Sequence, residues 1–133
     1  MDNQKVIDDF RANKGQLGGP FAHMKLLLLI TQGAKSDQSI TNPVAYSMDG
    51  DDFVIVASKG GADTNPGWYY NLIAHPRSRV EVGTESYDVE AVETGEEERK
   101  RLFDQHATEY PQFWDYEKKT TRKIPVFRLK KTS

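Results

Sequence analysis

Three segments of this chain combine residue types that could hold or work on a small molecule. Thr31–Pro43 (TQGAKSDQSITNP) places Lys35 and Ser36 just after Gly33. A glycine-containing turn exposes backbone N–H groups, and a cation and a hydroxyl beside them suit a phosphate. The same residues also make an ordinary hairpin loop. Ser58–Asn71 (SKGGADTNPGWYYN) leaves an apolar stretch through a hydroxyl, a lysine and two glycines, then enters a run of Trp68, Tyr69 and Tyr70. Paired glycines allow close backbone approach to a ligand, and loops over rigid strands commonly hold function. Three consecutive aromatics on a helix cannot all face one core, so at least one is free to meet a flat ring. The plainer alternative packs Trp68 and Leu72 inward and leaves the tyrosines as a cover. Tyr110–Tyr116 (YPQFWDY) repeats Tyr110, Phe113 and Tyr116 at spacing three, which puts them on one helical face. That face reads either as a core stripe or as an aromatic wall beside a planar substrate.

Composition removes most other chemistry. The chain has no cysteine, which excludes disulfides, thiolate nucleophiles and iron–sulfur clusters together. His23, His75 and His106 are far apart and form no ligand-spaced pair, so no metal is expected. Glu96, Glu97 and Glu98 fall in the first turn of a helix, where the dipole accounts for them without catalysis. No GxSxG, Walker loop or GxGxxG is present. Redox chemistry would therefore need a bound organic cofactor. Against 20 acids stand 18 bases, a net charge of -2, which argues against a nucleic-acid partner. After Glu117 come seven Lys or Arg and no acid, read as a solvated face with a polar tail. The longest apolar run is Leu26–Ile30, too short to span a membrane. Met1–Phe10 holds three acids and no apolar core, so a secretory signal is not expected and the cytosol is the default compartment.

The elements that must position these segments fit one domain over residues 1–133. Val6, Ile7 and Phe10 predict a short helix at about 4–14, broken by Gly15–Pro20. Met24–Thr31 reads as a buried strand and Ser39–Met48 as a second, with Pro43 demanding a bulge or an edge. Asp49-Gly50 signals a hairpin into a third strand, Phe53–Ala57. Asn65 as N-cap with Pro66 at the first position opens a helix over Trp68–Ala74, which His75-Pro76 ends. Ser78–Val82 and Tyr87–Val92 alternate across a turn at Gly83–Ser86. Thr94 with Glu97 reads as a capping box for a helix to about Glu109. Pro111 opens another short helix, and Ile124–Leu129 makes a sixth strand. The expectation is an α+β, six-stranded, mostly antiparallel small barrel with interspersed helices.

From about Leu26 to Val126 the chain resembles the deazaflavin-dependent nitroreductase family, actinobacterial oxidoreductases that use reduced coenzyme F-420. The most specific likeness is Ala57–Gly61 (ASKGG), then Asn65–Asn71 (NPGWYYN) and Asn71–Pro76 (NLIAHP); Ile124-Pro125-Val126 also fits. The resemblance implies a split β-barrel of the flavin-reductase, FMN-binding kind. It implies contacts to the phosphate and polyglutamate tail from Ala34, Lys35 and Ser36, and from Ile40, Thr41, Asn42, Pro43, Val44 and Ala45. It likewise implies a ring and linker site at Val56, Ala57, Ser58 and Lys59, and at Gly67, Trp68, Tyr69, Tyr70 and Asn71. Lys35 and Lys59 would be the cations. Ser58, Tyr110 and Tyr116 match catalytic or substrate-lining positions, and Phe113 stands where a related enzyme has tyrosine. Ala34 and Ile40 depart from the pattern, since the family usually has arginine at both. The implied reaction is hydride transfer from the deazaflavin C5 to a planar acceptor such as a quinone or nitroaromatic. Two alternatives stay open: an FMN-dependent split-barrel enzyme, and a non-catalytic barrel that binds the deazaflavin or an apolar ligand. Monomer or homodimer, and peripheral contact with a membrane, are both compatible with the sequence.

Overall fold

A computed structural model describes residues 3–19, 22 and 24–132; Pro20 and His23 lie outside the described residues. Seven strands form one antiparallel sheet: β1 (Leu26–Gln32), β2 (Ser39–Ala45), β3 (Ser47–Asp49), β4 (Asp52–Val56), β5 (Arg77–Val82), β6 (Glu85–Glu93) and β7 (Val126–Lys131). Their spatial order is β2-β1-β5-β6-β7-β4-β3. Among the described residues four α-helices accompany them: α1 (Asn3–Ala12), α2 (Gly67–Ala74), α3 (Glu96–Glu109) and α4 (Gln112–Lys118).

The expected second strand, Ser39–Met48, is two strands, and this gives seven rather than six. Its first part, β2, pairs with β1 and its second, β3, with β4, so the two parts lie at opposite ends of the sheet order. Ala45 and Ser47 are separated by Tyr46 alone, so the two edges must lie within a few ångströms of each other and the sheet must curl. Pro43 sits on β2, the edge strand, where the missing donor costs no ladder bond.

The apolar runs that obscured periodicity are strands buried on both faces. Leu27 and Leu29 pack inside the barrel with Phe53, Ile55, Phe127 and Leu129. Leu26 and Leu28 face outward with Val54, Val56 and Val126, under a layer made by α1, α3 and the Tyr110–Phe113 corner. Trp68 and Leu72 enter the barrel core from α2, as expected from the sequence.

Helix starts differ from the sequence expectation. Pro66 occupies the cap of α2 with no side-chain cap bond, and the Asn65 carboxamide oxygen instead accepts from Arg122 Nη1 at 2.8 Å. Gly95 caps α3, and the Thr94 hydroxyl donates to the Val126 carbonyl at 3.0 Å, so no capping box forms. In both cases a tertiary acceptor or donor outcompetes the local one. α1 ends at Ala12, short of residue 14. The β5–β6 turn is tighter than expected, with Gly83 at φ 59. The basic stretch is not a plain solvated face either: Arg128 bonds Asp49, Asp52 and Glu98 and is largely covered.

The seam between β2 and β3 is held from α3. His106 is fully buried, its Nδ1 lies 2.8 Å from the Ser47 hydroxyl, and its Nε2 has no hydrogen-bond partner. Burial, with a smaller contribution from the Lys25 charge, pushes its imidazole down to about 4 from an ordinary value of 6.5. The folded state therefore favours the neutral ring. That stabilisation is complete above 6.5 and is lost as pH falls through about 4. We expect unfolding free energy to fall by up to roughly 3 kcal/mol across this window. His106→Asn, which keeps a polar atom for Ser47, should flatten the fall. Urea denaturation from neutral pH down to about 4 checks this, and an equal fall in the variant would place the acid sensitivity elsewhere.

Candidate functional site

Two cavities share the same pair of walls, β2 and α2. The first, about 510 Å3, is lined by Gly33, Ala34, Lys35, Ser36 and Ile40 with Tyr70 and Asn71. Its floor is the β1–β2 loop. Asn71 fixes that loop by accepting from the Ala34 amide at 3.0 Å while its Nδ2 donates to the Thr31 hydroxyl at 3.0 Å. Asn71 is thus a bracket between helix and hairpin, and both its polar atoms are engaged. Lys35 is exposed and has no ion-pair or hydrogen-bond partner among the described residues. The rest of the wall, Ile40 and Tyr70, is apolar and open, with Tyr70 53% exposed.

The second cavity, about 260 Å3, lies at the seam. Pro43, Val44 and Ala45 from β2 form one side, Val56 and Ser58 the other, and Trp68, Phe113 and Tyr116 add aromatic surface. Ser58 is 6% exposed, and its hydroxyl has no partner among the described residues. Phe113 and Tyr116 stand edge to face with ring centroids 5.0 Å apart. Asn3 and Val6 of α1, with Met24, Leu26 and Gly60, complete the lining. In sequence α1 shows only an apolar face; its place over the cavity is set by tertiary packing, for which it carries no local signal. From Ile40 to Ala45 β2 runs roughly 16 Å at strand rise. The pair of cavities therefore suits one elongated ligand, with an anionic end at Lys35 and a flat end at Ser58.

Several expected residues lie outside these linings. Ala57 points into the barrel core, fully buried. Tyr69 packs on Phe127 and Tyr70, with its hydroxyl 3.5 Å from Glu93; burial raises its pKa. Thr41 and Asn42 are half-buried on the edge strand between the cavities, and Gly67 opens α2. Lys59 is exposed at φ 47, and its Nζ donates to the Thr64 hydroxyl at 3.3 Å. Tyr110 does not line the cavity: it is 2% exposed, donates to the Tyr46 carbonyl at 2.7 Å and accepts from the Lys25 amide at 3.3 Å. Burial pushes its phenol up to about 12.

The match to a known family runs over residues 3–131, to a model described as F420H(2)-dependent quinone reductase. The chain belongs to this family. A quinone reductase of that description from Mycobacterium tuberculosis is 38% identical over 128 residues, covering 90% of this chain and 83% of the relative. A solved F420-H2 dependent reductase (FDR-A) superposes with TM-score 0.73 at 35% identity, over 79% of this chain and 93% of that one. A second structure, described as a domain-swapped dimer, gives TM-score 0.75 at 30% identity over 96% of both chains. The HutZ heme storage protein of Vibrio cholerae, at 13% identity and TM-score 0.63 over 100% of this chain and 92% of its own, shares the fold alone. The resemblance on ASKGG and NPGWYYN is thereby borne out, as are the curled antiparallel barrel and the family's cofactor, coenzyme F-420. Among the described residues no helix is long and apolar enough to cross a membrane, and no cluster of acids and histidines could hold a metal.

Tyr110→Phe tests what its hydroxyl does. Two backbone groups at the seam lose their partner, so stability should fall by about 1–3 kcal/mol, read by thermal unfolding. A stability change without a fall in turnover at saturating cofactor fits a purely seam-holding role. A large fall in turnover with unaltered stability would return Tyr110 to the residues that touch substrate.

Proposed function

We propose that this chain is an oxidoreductase that binds reduced coenzyme F-420 along the β2–α2 groove and reduces a planar acceptor, a quinone foremost. The observation that carries this reading is the pair of cavities joined by β2 and α2, with a free lysine at one end and aromatic walls around a free hydroxyl at the other. The residues present fit such a cofactor. A Cβ built at Gly60 or Gly67 meets nothing within 4 Å, so both backbones are open to close approach. Lys35 can meet the phosphate or the first tail carboxylate, with the loop amides beside it. Trp68, Val44, Ala45 and Val56 can pack the ring and exclude water. Lys59 can serve the linker.

When bound, the reduced deazaflavin supplies a hydride from C5. Reduction of a quinone to a hydroquinone takes that hydride and a proton. The Ser58 hydroxyl can donate to the acceptor oxygen as it gains negative charge. Tyr116, the phenol that lines the cavity, is the candidate to deliver the proton. Phe113 holds the Tyr116 ring edge to face and leaves the cavity wall apolar where a hydroxyl would invite water. A nitroaromatic of similar flatness suits the same cavity. The relative described as a domain-swapped dimer supports a homodimer. A cytosolic location, with access to quinones at a membrane surface, belongs to the same reading.

Fluorescence titration with F-420, run beside FMN, is the first test. Saturable F-420 binding with much weaker FMN binding, followed by quinone-dependent reoxidation of the reduced cofactor, is the expected result. Tighter FMN binding would favour the flavin alternative. Binding without reoxidation by any quinone or nitroaromatic would favour a carrier. Within the enzyme reading, Ser58→Ala should lower turnover more than cofactor affinity. An oriented donor contributes about 2.7–4 kcal/mol at the transition state, and a single hydroxyl is expected at or below the low end. Equal turnover at saturating cofactor would remove Ser58 from catalysis.

A further inference from the structure

The loop that carries Ser58 and Lys59 is held from outside by one side chain. Arg122 donates from Nε to the Ala62 carbonyl at 2.9 Å and from Nη1 to Asn65 Oδ1 at 2.8 Å. Its Nη2 is shared among the carbonyls of Ala57 at 3.2 Å, Ser58 at 3.0 Å and Thr64 at 3.0 Å. No carboxylate lies within ion-pair distance of this guanidinium among the described residues, so its charge is met by carbonyl dipoles and an amide. A neighbour reinforces the clamp: the Thr120 hydroxyl accepts from the Arg122 amide and donates to Asp63 Oδ1 at 2.8 Å.

The gripped loop has a costly shape. Lys59, Gly60 and Gly61 have φ of 47, 65 and 87, three consecutive residues in the left-handed region, and the first is not glycine. Such backbone persists only where surrounding contacts over-determine it. Gly61 also lies directly beneath α4: a Cβ there would come within 2.9 Å of the Tyr116 carbonyl and 3.0 Å of the Lys119 side chain. The loop bearing Ser58 and the helix bearing Tyr116 are therefore in contact through Gly61, and the segment after that helix carries the arginine that locks the loop.

We propose that Arg122 is a positioning residue for the reaction: its planar fork holds Ala57–Asn65 in the strained shape that presents Ser58 to the cavity and keeps it in register with Tyr116. This rests on the F-420 reading for its consequence in binding, but not for the geometry. A lysine has one ammonium group and cannot span carbonyls of Ala57, Ser58, Ala62 and Thr64 at once, so the fork and not the charge is required.

The test compares wild type, Arg122→Ala and Arg122→Lys, with hydrogen exchange on the cofactor-free protein and F-420 titration on the same samples. Amides from Ser58 to Thr64 should exchange at least tenfold faster in both variants, while those of β1, β5 and β6 keep their protection. F-420 affinity should fall about ten- to a hundredfold in both. Methylguanidinium, and not methylammonium, should restore much of the loss in Arg122→Ala. Unchanged loop exchange overturns the proposal, as does a Lys variant equal to wild type. So does a rise in exchange spread over the whole sheet, which would make Arg122 a general stabiliser. Should wild type itself bind no F-420, the proposed function fails, and the exchange data still decide whether Arg122 sets the loop.

Discussion

The structure depends on one short covalent constraint: the chain passes from the first edge of the sheet to the last through Tyr46. Seven antiparallel strands can remain an open, twisted layer. Here Ala45 pairs with Leu26 of β1 and Ser47 pairs with Val54 of β4, so the edges are forced together and the sheet must close on itself. Closure leaves a backbone kink whose polar groups need partners. Tyr46 donates its amide to the Lys25 carbonyl, and its own carbonyl accepts from Tyr110. Ser47 takes the His106 ring. Both partners project from the end of α3 and the corner after it, which explains why aromatic residues gather there.

The same seam creates the cavity. Strands that pair continuously pack their side chains without gaps, but β2 and β4 face one another across the seam without a ladder between them. Side chains from Pro43 to Ala45, with those of Val56 and Ser58, therefore border space that α1, α2 and α4 roof over. A fold-level necessity and the proposed binding site coincide. This is why Ser58, two residues past the end of β4, can be largely buried and still keep its hydroxyl free.

Much of this was legible because the decisive signals are local. Four consecutive leucines and FVIVA mark strands covered on both faces, and Pro43 marks an edge. Gly50 marks a hairpin, and His75-Pro76 ends α2. The ASKGG and NPGWYYN strings carried the family and placed Ser58, Gly60, Trp68, Tyr70 and Asn71 in the two cavity linings. What stayed hidden was non-local. Nothing in Ser39–Asp49 says that its two halves form the opposite edges of the sheet. Thr94 satisfied every local rule for a capping box, but a β7 carbonyl took its hydroxyl. Arg122 looked like one member of a basic tail because its acceptors lie 57 to 65 residues away. Tyr110 and Tyr116 share spacing and type, and only the bend between α3 and α4 turns one to the seam and the other to the cavity.

If the groove holds the proposed cofactor, its distribution of charge weights recognition toward the end that takes the ring. At the β1–β2 loop end, Ala34 and Ile40 leave Lys35 as the cation of the lining. One exposed ammonium contributes less than about 1 kcal/mol to an ion pair and is screened by salt. Ile40 and Tyr70 instead offer apolar surface, at roughly 25 cal/mol per Å2 covered. At the other end the cavity is bordered by strands, three helices and the loop that Arg122 fixes, and burial there does not fade with ionic strength. A ligand held mostly by its ring is set precisely where the chemistry happens and loosely along its tail. That balance suits a reductase that must orient a flat ring against a flat acceptor and has little use for counting carboxylates.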